Sequence, residues 1–173
     1  SRSLVSVPLG STSIDFIFSE LTGDYQHITV QGQLATKVTD VHRLVSMYNF
    51  TVDRRGRYLS DDPEKLRQTL VNLVQVVTRR ELSTLDLRRA VTAAEHIAAS
   101  VTTELCASRL LAELGLGVVD VSFLSVLPNK ETSRALEAET REVLLRQADE
   151  AVYRRRNAAI EQERLIKENE LNT

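Results

Sequence analysis

The three histidines and the single cysteine are the residues of this chain best suited to catalysis or metal binding. Imidazoles bind metals and move protons near neutral pH, and thiolates act as nucleophiles. The pattern places His27, His42 and His96 in a strand, a short helix and a long helix, without a carboxylate or cysteine at metal-ligand spacing. Cys106 lies among leucines and is predicted to be a core thiol. The sequence therefore predicts no catalytic, metal or cofactor site.

Three other motifs could bind an anion or carry a modification. Arg154, Arg155 and Arg156 could hold phosphate, but consecutive helical residues fan around the axis and acids flank them, which favours solvation or pairing between subunits. The stretch "DRRGR" at 53–57 favours an exposed loop over a lipid contact. The stretch "NFT" at 49–51 matches a glycosylation acceptor, but the single cysteine indicates a reducing compartment, where the match is incidental. None of the three predicts a binding site.

Composition narrows the class of protein. The 173 residues carry a net charge of −2, with 5% aromatics and no tryptophan, which disfavours nucleic-acid binding. One cysteine fits a reducing compartment, so we expect the cytoplasm or the cytoplasmic face of a membrane. No apolar run approaches the roughly 20 residues of a membrane span. The chain lacks an initiator methionine, and we expect an excerpt of a longer protein with any anchor outside it.

The first forty residues alternate apolar and polar positions, the pattern of half-buried strands. "SLVSVPL", "TSIDFIFSEL" and "YQHITVQGQLATKV" predict three strands of an antiparallel meander. In the third, Ile28, Val30, Leu34 and Val38 share one face. A later strand, "GVVDVSFLSVLP", is predicted to place one set of side chains on one face, Val119, Val121, Phe123 and Ser125, and another set on the other, Val118, Leu124 and Val126.

Capping residues predict the helices between these strands. Asp40 caps a short helix, and Asp62 with Pro63 begins a second. Ser83 or Thr84 caps a third, long helix that runs to Leu114 and closes at a left-handed Gly115. The predicted body is therefore a mixture of sheet and helix.

The sequence from 130 to 173 contains no helix breaker and predicts one helix of roughly 65 Å, which would project from the body. Acids precede bases by four residues in four predicted pairs: Glu137 with Arg141, Glu142 with Arg146, Glu150 with Arg154, and Glu163 with Lys167. The narrow apolar stripe favours lateral association of this helix with copies of itself. The alternative is a solvated helix, or one packed on its own domain. The predicted contacts are Leu136, Val143, Leu144, Ala148, Ala151, Arg155, Ala159, Glu163 and Ile166.

Two stretches of the chain resemble the SPFH or band 7 superfamily of stomatins, prohibitins, flotillins and the bacterial HflK/HflC pair. They are "ELTGDYQHITVQGQLATKVTD" and "GVVDVSFLSVLPNKETSRALEAETREVLLRQADEAVYRRRNAAIEQERLIKENELNT". The closing stretch is similar to bacterial stomatin-like proteins. The resemblance implies an α+β fold, with a twisted, mainly antiparallel sheet and packed helices in an SPFH domain over 1–128. A long projecting helix at 129–173 would begin a coiled coil. No hydrophobic anchor precedes the strands, which departs from familiar members.

The resemblance implies a non-enzymatic scaffold that self-assembles into a large ring- or cage-like oligomer at a membrane and organises membrane microdomains or partner proteins. The alternative is an adaptor or regulator of a membrane protease or channel, acting as a small oligomer. The implied partners are further copies of the chain, a membrane protease or channel, and lipid through segments outside this chain, with no cofactor and no nucleic acid. A hydrolase is disfavoured because no catalytic constellation is present.

Overall fold

The computed structural model describes residues 2–172. Within that range the elements are β1 (Leu4–Val5), β2 (Thr12–Leu21), β3 (His27–Val38), α1 (Val41–Met47), β4 (Thr51–Val52), α2 (Asp62–Leu82), α3 (Leu87–Thr92), α4 (Ala94–Cys106), α5 (Arg109–Glu113), β5 (Leu116–Pro128) and α6 (Lys130–Asn172). The contacts of the chain divide it into two compact units, with the boundary between Asn129 and Lys130.

A three-stranded antiparallel sheet in the order β2-β3-β5 forms the centre of the first unit. The hairpin of β2 and β3 is regular from the Thr12–Thr36 pair to the Leu21–His27 pair. The alternation of buried and exposed side chains along β3 is as predicted. Ile28, Val30 and Leu34 share one face and are almost fully buried.

The first predicted strand is not part of this meander. Only Leu4 and Val5 form β1, which pairs with Val52 and Thr51 of β4 in a separate two-stranded sheet. The strand is short, and Pro8, three residues after Val5, has no amide hydrogen to donate to a strand ladder.

The strict alternation predicted for β5 is wrong, because two bulges change which face its side chains occupy. Ala35 pairs with Asp120 and Thr36 with Val118, so Val119 has no partner on β3. A second register shift leaves out Leu124 in the same way. Val119 and Leu124 are exposed, whereas the side chains that face the core are Leu116, Val118, Val121 and Val126.

The long helix predicted from Ser83 to Leu114 is three helices. Asp86, rather than Ser83 or Thr84, caps α3 by accepting a hydrogen bond from the Arg89 amide at 2.8 Å. Ser108 caps α5 through the Leu111 amide at 3.3 Å. At the second helix, Asp61 rather than Asp62 precedes the first helical residue, and Asp62 instead accepts a hydrogen bond from the Asn49 amide. The Asp40 cap and the left-handed Gly115 are as predicted.

Helices α2 and α4 cover the apolar face of the sheet, and α4 also covers part of the outer edge of β5. The Thr102 hydroxyl donates to the Val121 carbonyl at 3.2 Å and accepts from the Val121 amide at 3.1 Å. The Cys106 thiol donates to the Val118 carbonyl. Backbone groups at the edge of a sheet can pair with other chains unless they are covered.

Cys106 is exposed, so the prediction that it is a core thiol is wrong.

Candidate functional site

The long helix α6 carries large apolar side chains in contact with water. It is a single helix from Lys130 to Asn172, as predicted, and Thr173 lies outside the described residues. Between residues 137 and 172, every side chain except the half-buried Ala151 is exposed. Val143 is 44% exposed, Leu144 60% and Ile166 58%. Exposed apolar groups that follow one another along an element are typical of a surface that contacts another molecule.

Most of the predicted contact residues share one side of α6. At about 100° per residue, the alanines 148, 151 and 159 lie with Leu144, Arg155 and Ile166 in a sector of about 80°. We call this set the helix stripe. Glu163 lies about 40° beyond one edge of the helix stripe. Leu136 and Val143 lie about 60–80° beyond the other edge, so the helix does not bring them together with the rest.

The sequence prediction missed apolar residues that flank the helix stripe. Leu145, Val152 and Leu165 are 62%, 46% and 49% exposed. With their neighbours they form two columns at exact seven-residue spacing, Leu144–Ala151–Ala158–Leu165 and Leu145–Val152–Ala159–Ile166. A seven-residue repeat keeps each column on one side of helices that wind around each other, and the two columns lie about 100° apart around α6. Counting in sevens along the sequence would have found both columns.

The ion pairs along α6 differ from those predicted. Arg164 contacts Glu161 at 2.6 Å and Glu168 at 3.6 Å. None of the four predicted pairs forms among the described residues, because exposed long side chains gain little from an ion pair in water. Within residues 2–172, neither Arg155 nor Glu163 has an ion-pair partner, so both side chains can reach a neighbouring molecule.

The histidines lie far apart along the chain and in different elements. His27 begins β3, His42 lies in α1 and His96 in α4, and all three are exposed. Among residues 2–172, no group of three or more His, Cys, Asp or Glu side chains could hold a metal ion.

An ion pair between a buried carboxylate, Glu20, and an exposed guanidinium, Arg79, joins the sheet to α2. Glu20, on β2, is 8% exposed and accepts two hydrogen bonds from the Arg79 guanidinium at 3.0 Å. The Gln75 amide donates to the same carboxylate at 2.8 Å. Burial alone would raise the pKa of Glu20, but the hydrogen bonds from Arg79 and Gln75 and the charge of Arg79 outweigh it and lower the pKa. No sequence pattern indicated this pair.

We expect Glu20→Gln to lower the free energy of unfolding by about 1–2 kcal/mol at neutral pH, because the variant loses the carboxylate charge that pairs with Arg79. The loss is modest because Arg79 is partly hydrated. A carboxyl whose pKa is lowered by folding stabilises the protein above its unfolded pKa, near 4.5, and loses that effect as pH falls through the lower folded pKa. The difference between wild type and variant in urea unfolding should therefore shrink below about pH 4.5. Glu104→Gln, in the exposed pair with Arg80, is the control and should change stability little. A difference for Glu20→Gln that does not vary with pH would contradict this account.

Comparison with known proteins agrees with the fold. Within the described residues, no helix is both long and apolar enough to span a bilayer. No curated protein matches the chain. The family described as "SPFH domain / Band 7 family" matches residues 1–164. Its members are generally non-enzymatic scaffolds that associate with membranes and typically oligomerise. The chain, with its antiparallel sheets, packed helices and long C-terminal helix, belongs to the SPFH domain / Band 7 family.

Proposed function

We propose that this chain is a non-enzymatic scaffold that assembles with copies of itself into a large ring- or cage-like oligomer at a membrane. The observation that carries the proposal is the exposed helix stripe of α6 and the two seven-residue columns that include and flank it. Residues 1–128 act as the SPFH domain, and residues 129–173 act as the assembly element. The oligomer organises membrane microdomains or partner proteins around it.

The composition of α6 supports lateral association of helices. Burying one Leu or Ile side chain contributes about 1.5–3 kcal/mol, and the two columns offer several of them. Alanines at 148, 151 and 159 are small and allow helix axes to approach closely. Arg155 lies between the columns and Glu163 lies beside the helix stripe, where opposite charges on neighbouring copies can fix their register.

Sedimentation velocity of the full chain over a range of concentrations tests the proposal. A scaffold of this kind should sediment as a large, discrete species whose mass is a multiple of 19.4 kDa. A species of only two to four copies would instead favour the adaptor of a membrane protease or channel.

Reversing the charges of the helix stripe should weaken the assembly. We expect Arg155→Glu or Glu163→Arg to raise the dissociation constant up to about fivefold, because an exposed ion pair contributes up to about 1 kcal/mol. The double variant should recover much of the loss if the two groups pair between copies. Arg146→Glu makes the same charge change on the opposite side of α6 and is the control. If both single reversals leave the oligomer unchanged, the pairing is wrong.

A further inference from the structure

The two edges of the three-stranded sheet are covered to different extents. Side chains of α4 cover part of the outer edge of β5, and β2 is the strand at the opposite edge. Strand β2 is ten residues long, contains no proline, and pairs with β3 without a bulge. Among residues 2–172, no further strand pairs with it. A long and regular edge strand is a template for pairing with another extended chain.

Every second residue of β2 points its backbone amide and carbonyl away from β3. The Thr22 amide donates to the Gln26 carbonyl at 3.0 Å, so the hairpin closes with a hydrogen-bonded pair. Hydrogen-bonded and non-hydrogen-bonded pairs alternate in an antiparallel ladder, which leaves Asp15 and Ile17 in non-hydrogen-bonded pairs. The Asp15 carbonyl does point outward, because it accepts a hydrogen bond from the Arg67 guanidinium at 3.2 Å.

Helix α2 runs alongside this edge. Four of its side chains follow one another at four-residue spacing on one side of the helix: Arg67, Val71, Gln75 and Arg79. The first contacts the Asp15 carbonyl, and the last two contact the Glu20 carboxylate. The 12 residues of helix span about 18 Å and the five residues of strand about 17 Å, so α2 and β2 run side by side. We call the space between the free edge of β2 and this row the edge groove.

The charges along the edge groove favour an acidic segment. Arg67 and Arg79 lie at its two ends, and their side chains are 45% and 58% exposed. Each pairs with one carboxylate of this chain, Glu64 or Glu20, and a guanidinium has enough N–H donors to bind a further one. A cationic segment would have to compete with these arginines for Glu20 and Glu64. The Asp15 side chain points to the other face of the sheet.

We propose that the edge groove binds an extended acidic segment of a partner protein, which adds to β2 as an antiparallel strand. Antiparallel pairing continues the pattern of the sheet. Backbone groups of the segment pair with the outward groups of Asp15 and Ile17, and its acidic side chains pair with Arg67 and Arg79. The hydrogen bond from Arg67 to the Asp15 carbonyl is exchanged for one from the segment. The role of this site in holding partners rests on the scaffold function proposed above, but binding itself does not require α6.

Synthetic peptides test strand addition on the full chain. In acetyl-Thr-Glu-Val-Thr-Val-Glu-Thr-amide, the glutamates and the central threonine would face α2 and the valines the other side. Residues opposite each other in a hydrogen-bonded antiparallel pair share a face, so the valine amides would point at β2. N-methylation of both valines should weaken binding at least about tenfold, because two hydrogen bonds are lost. N-methylation of the central threonine and the second glutamate should change binding less than about twofold, because their amides point away from β2.

Fluorescence anisotropy would measure this binding, and hydrogen–deuterium exchange would locate it. We expect the outward amides of Thr12–Leu21 to exchange fast in the full chain and to be protected when the first peptide binds. If these amides are protected without peptide, a neighbouring copy covers the edge and the proposal is wrong. Equal binding of the two N-methylated peptides would also overturn it, because strand addition requires a difference between them.

Two variants test the charges of the edge groove. Arg67→Gln should weaken binding of the unmethylated peptide up to about fivefold, as expected for an exposed ion pair. Lys65→Gln removes the same charge about 160° around α2 and should leave binding unchanged. Equal losses for both variants would mean that net charge, rather than the edge groove, attracts the peptide.

Ile17→Pro removes one outward amide without breaking a hydrogen bond between β2 and β3, and proline is tolerated at such edge positions. We expect this variant to lose peptide binding and to keep the sedimenting mass of the wild type. If it does not fold, the N-methylated peptides make the same test on the wild type. A large oligomer that does not bind the unmethylated peptide overturns this inference alone, whereas a monomer that binds it overturns the scaffold alone.

Discussion

Ile166→Glu should disperse the oligomer. Ile166 is 58% exposed and ends the column that begins at Leu145. The change removes about 1.5–3 kcal/mol of apolar burial at each contact and adds the desolvation of a carboxylate. Because 1.4 kcal/mol corresponds to tenfold, the dissociation constant should rise by about a hundredfold or more. Sedimentation velocity would show the sedimenting mass fall towards that of one chain.

Ile160→Glu is the matched control for Ile166→Glu. Ile160 is 63% exposed and lies about 120° around the same helix, outside both columns. The two variants share residue types, net charge and helix, so their helix propensities change equally. We expect Ile160→Glu to sediment as the wild type. If both variants disperse the oligomer equally, or if neither does, the two columns are not the contact surface.

Gly115→Ala should destabilise the first unit by about 3 kcal/mol or more, the sum of a left-handed backbone penalty and overpacking. Gly115 has a φ of +77°, and its carbonyl accepts hydrogen bonds from the amides of Thr39 and Asp40. A Cβ atom there would collide with the Asp40 carbonyl oxygen and approach Arg43 Cβ to 3.3 Å. The collision would separate the start of β5 from the start of α1. Urea unfolding at one protein concentration measures the loss.

Gly56→Ala separates the two causes of that loss. Gly56 has a φ of +78°, almost the same as Gly115, but a Cβ atom there would meet nothing within 4 Å. It should therefore show the backbone penalty alone, about 1–2 kcal/mol. Equal losses for the two variants would mean that the collision with Asp40 is relieved at no cost.

Local patterns predicted the elements whose form depends on neighbouring residues in sequence. The alternation around Val30 and Leu34 predicted the buried face of β3, and the Asp40 cap predicted α1. The bulges at Val119 and Leu124 could not be predicted in this way, because they arise from how β5 pairs with β3, far away in sequence. The break between α4 and α5 had a usable signal, the Ser108 cap, but no glycine or proline marked it.

The proposed contact surface on α6 and the Glu20–Arg79 ion pair differ in the same way. The helix stripe follows from spacing along one helix, so all six of its residues were named from the sequence, and the columns through Leu145 and Leu165 needed only a count in sevens. The Glu20–Arg79 pair depends on a contact between a strand and a helix that are distant in sequence. Such contacts leave no local pattern, so only the structure places these side chains.

The most direct test of assembly through α6 is the sedimenting mass of the full chain beside that of residues 1–129. Ending the shorter chain at Asn129 keeps its hydrogen bonds to the His27 carbonyl and to the Ser19 hydroxyl, and it follows the boundary between the two compact units. We expect a large oligomer for the full chain and a folded monomer for residues 1–129. If both chains form the same oligomer, or if both are monomers, α6 does not drive assembly.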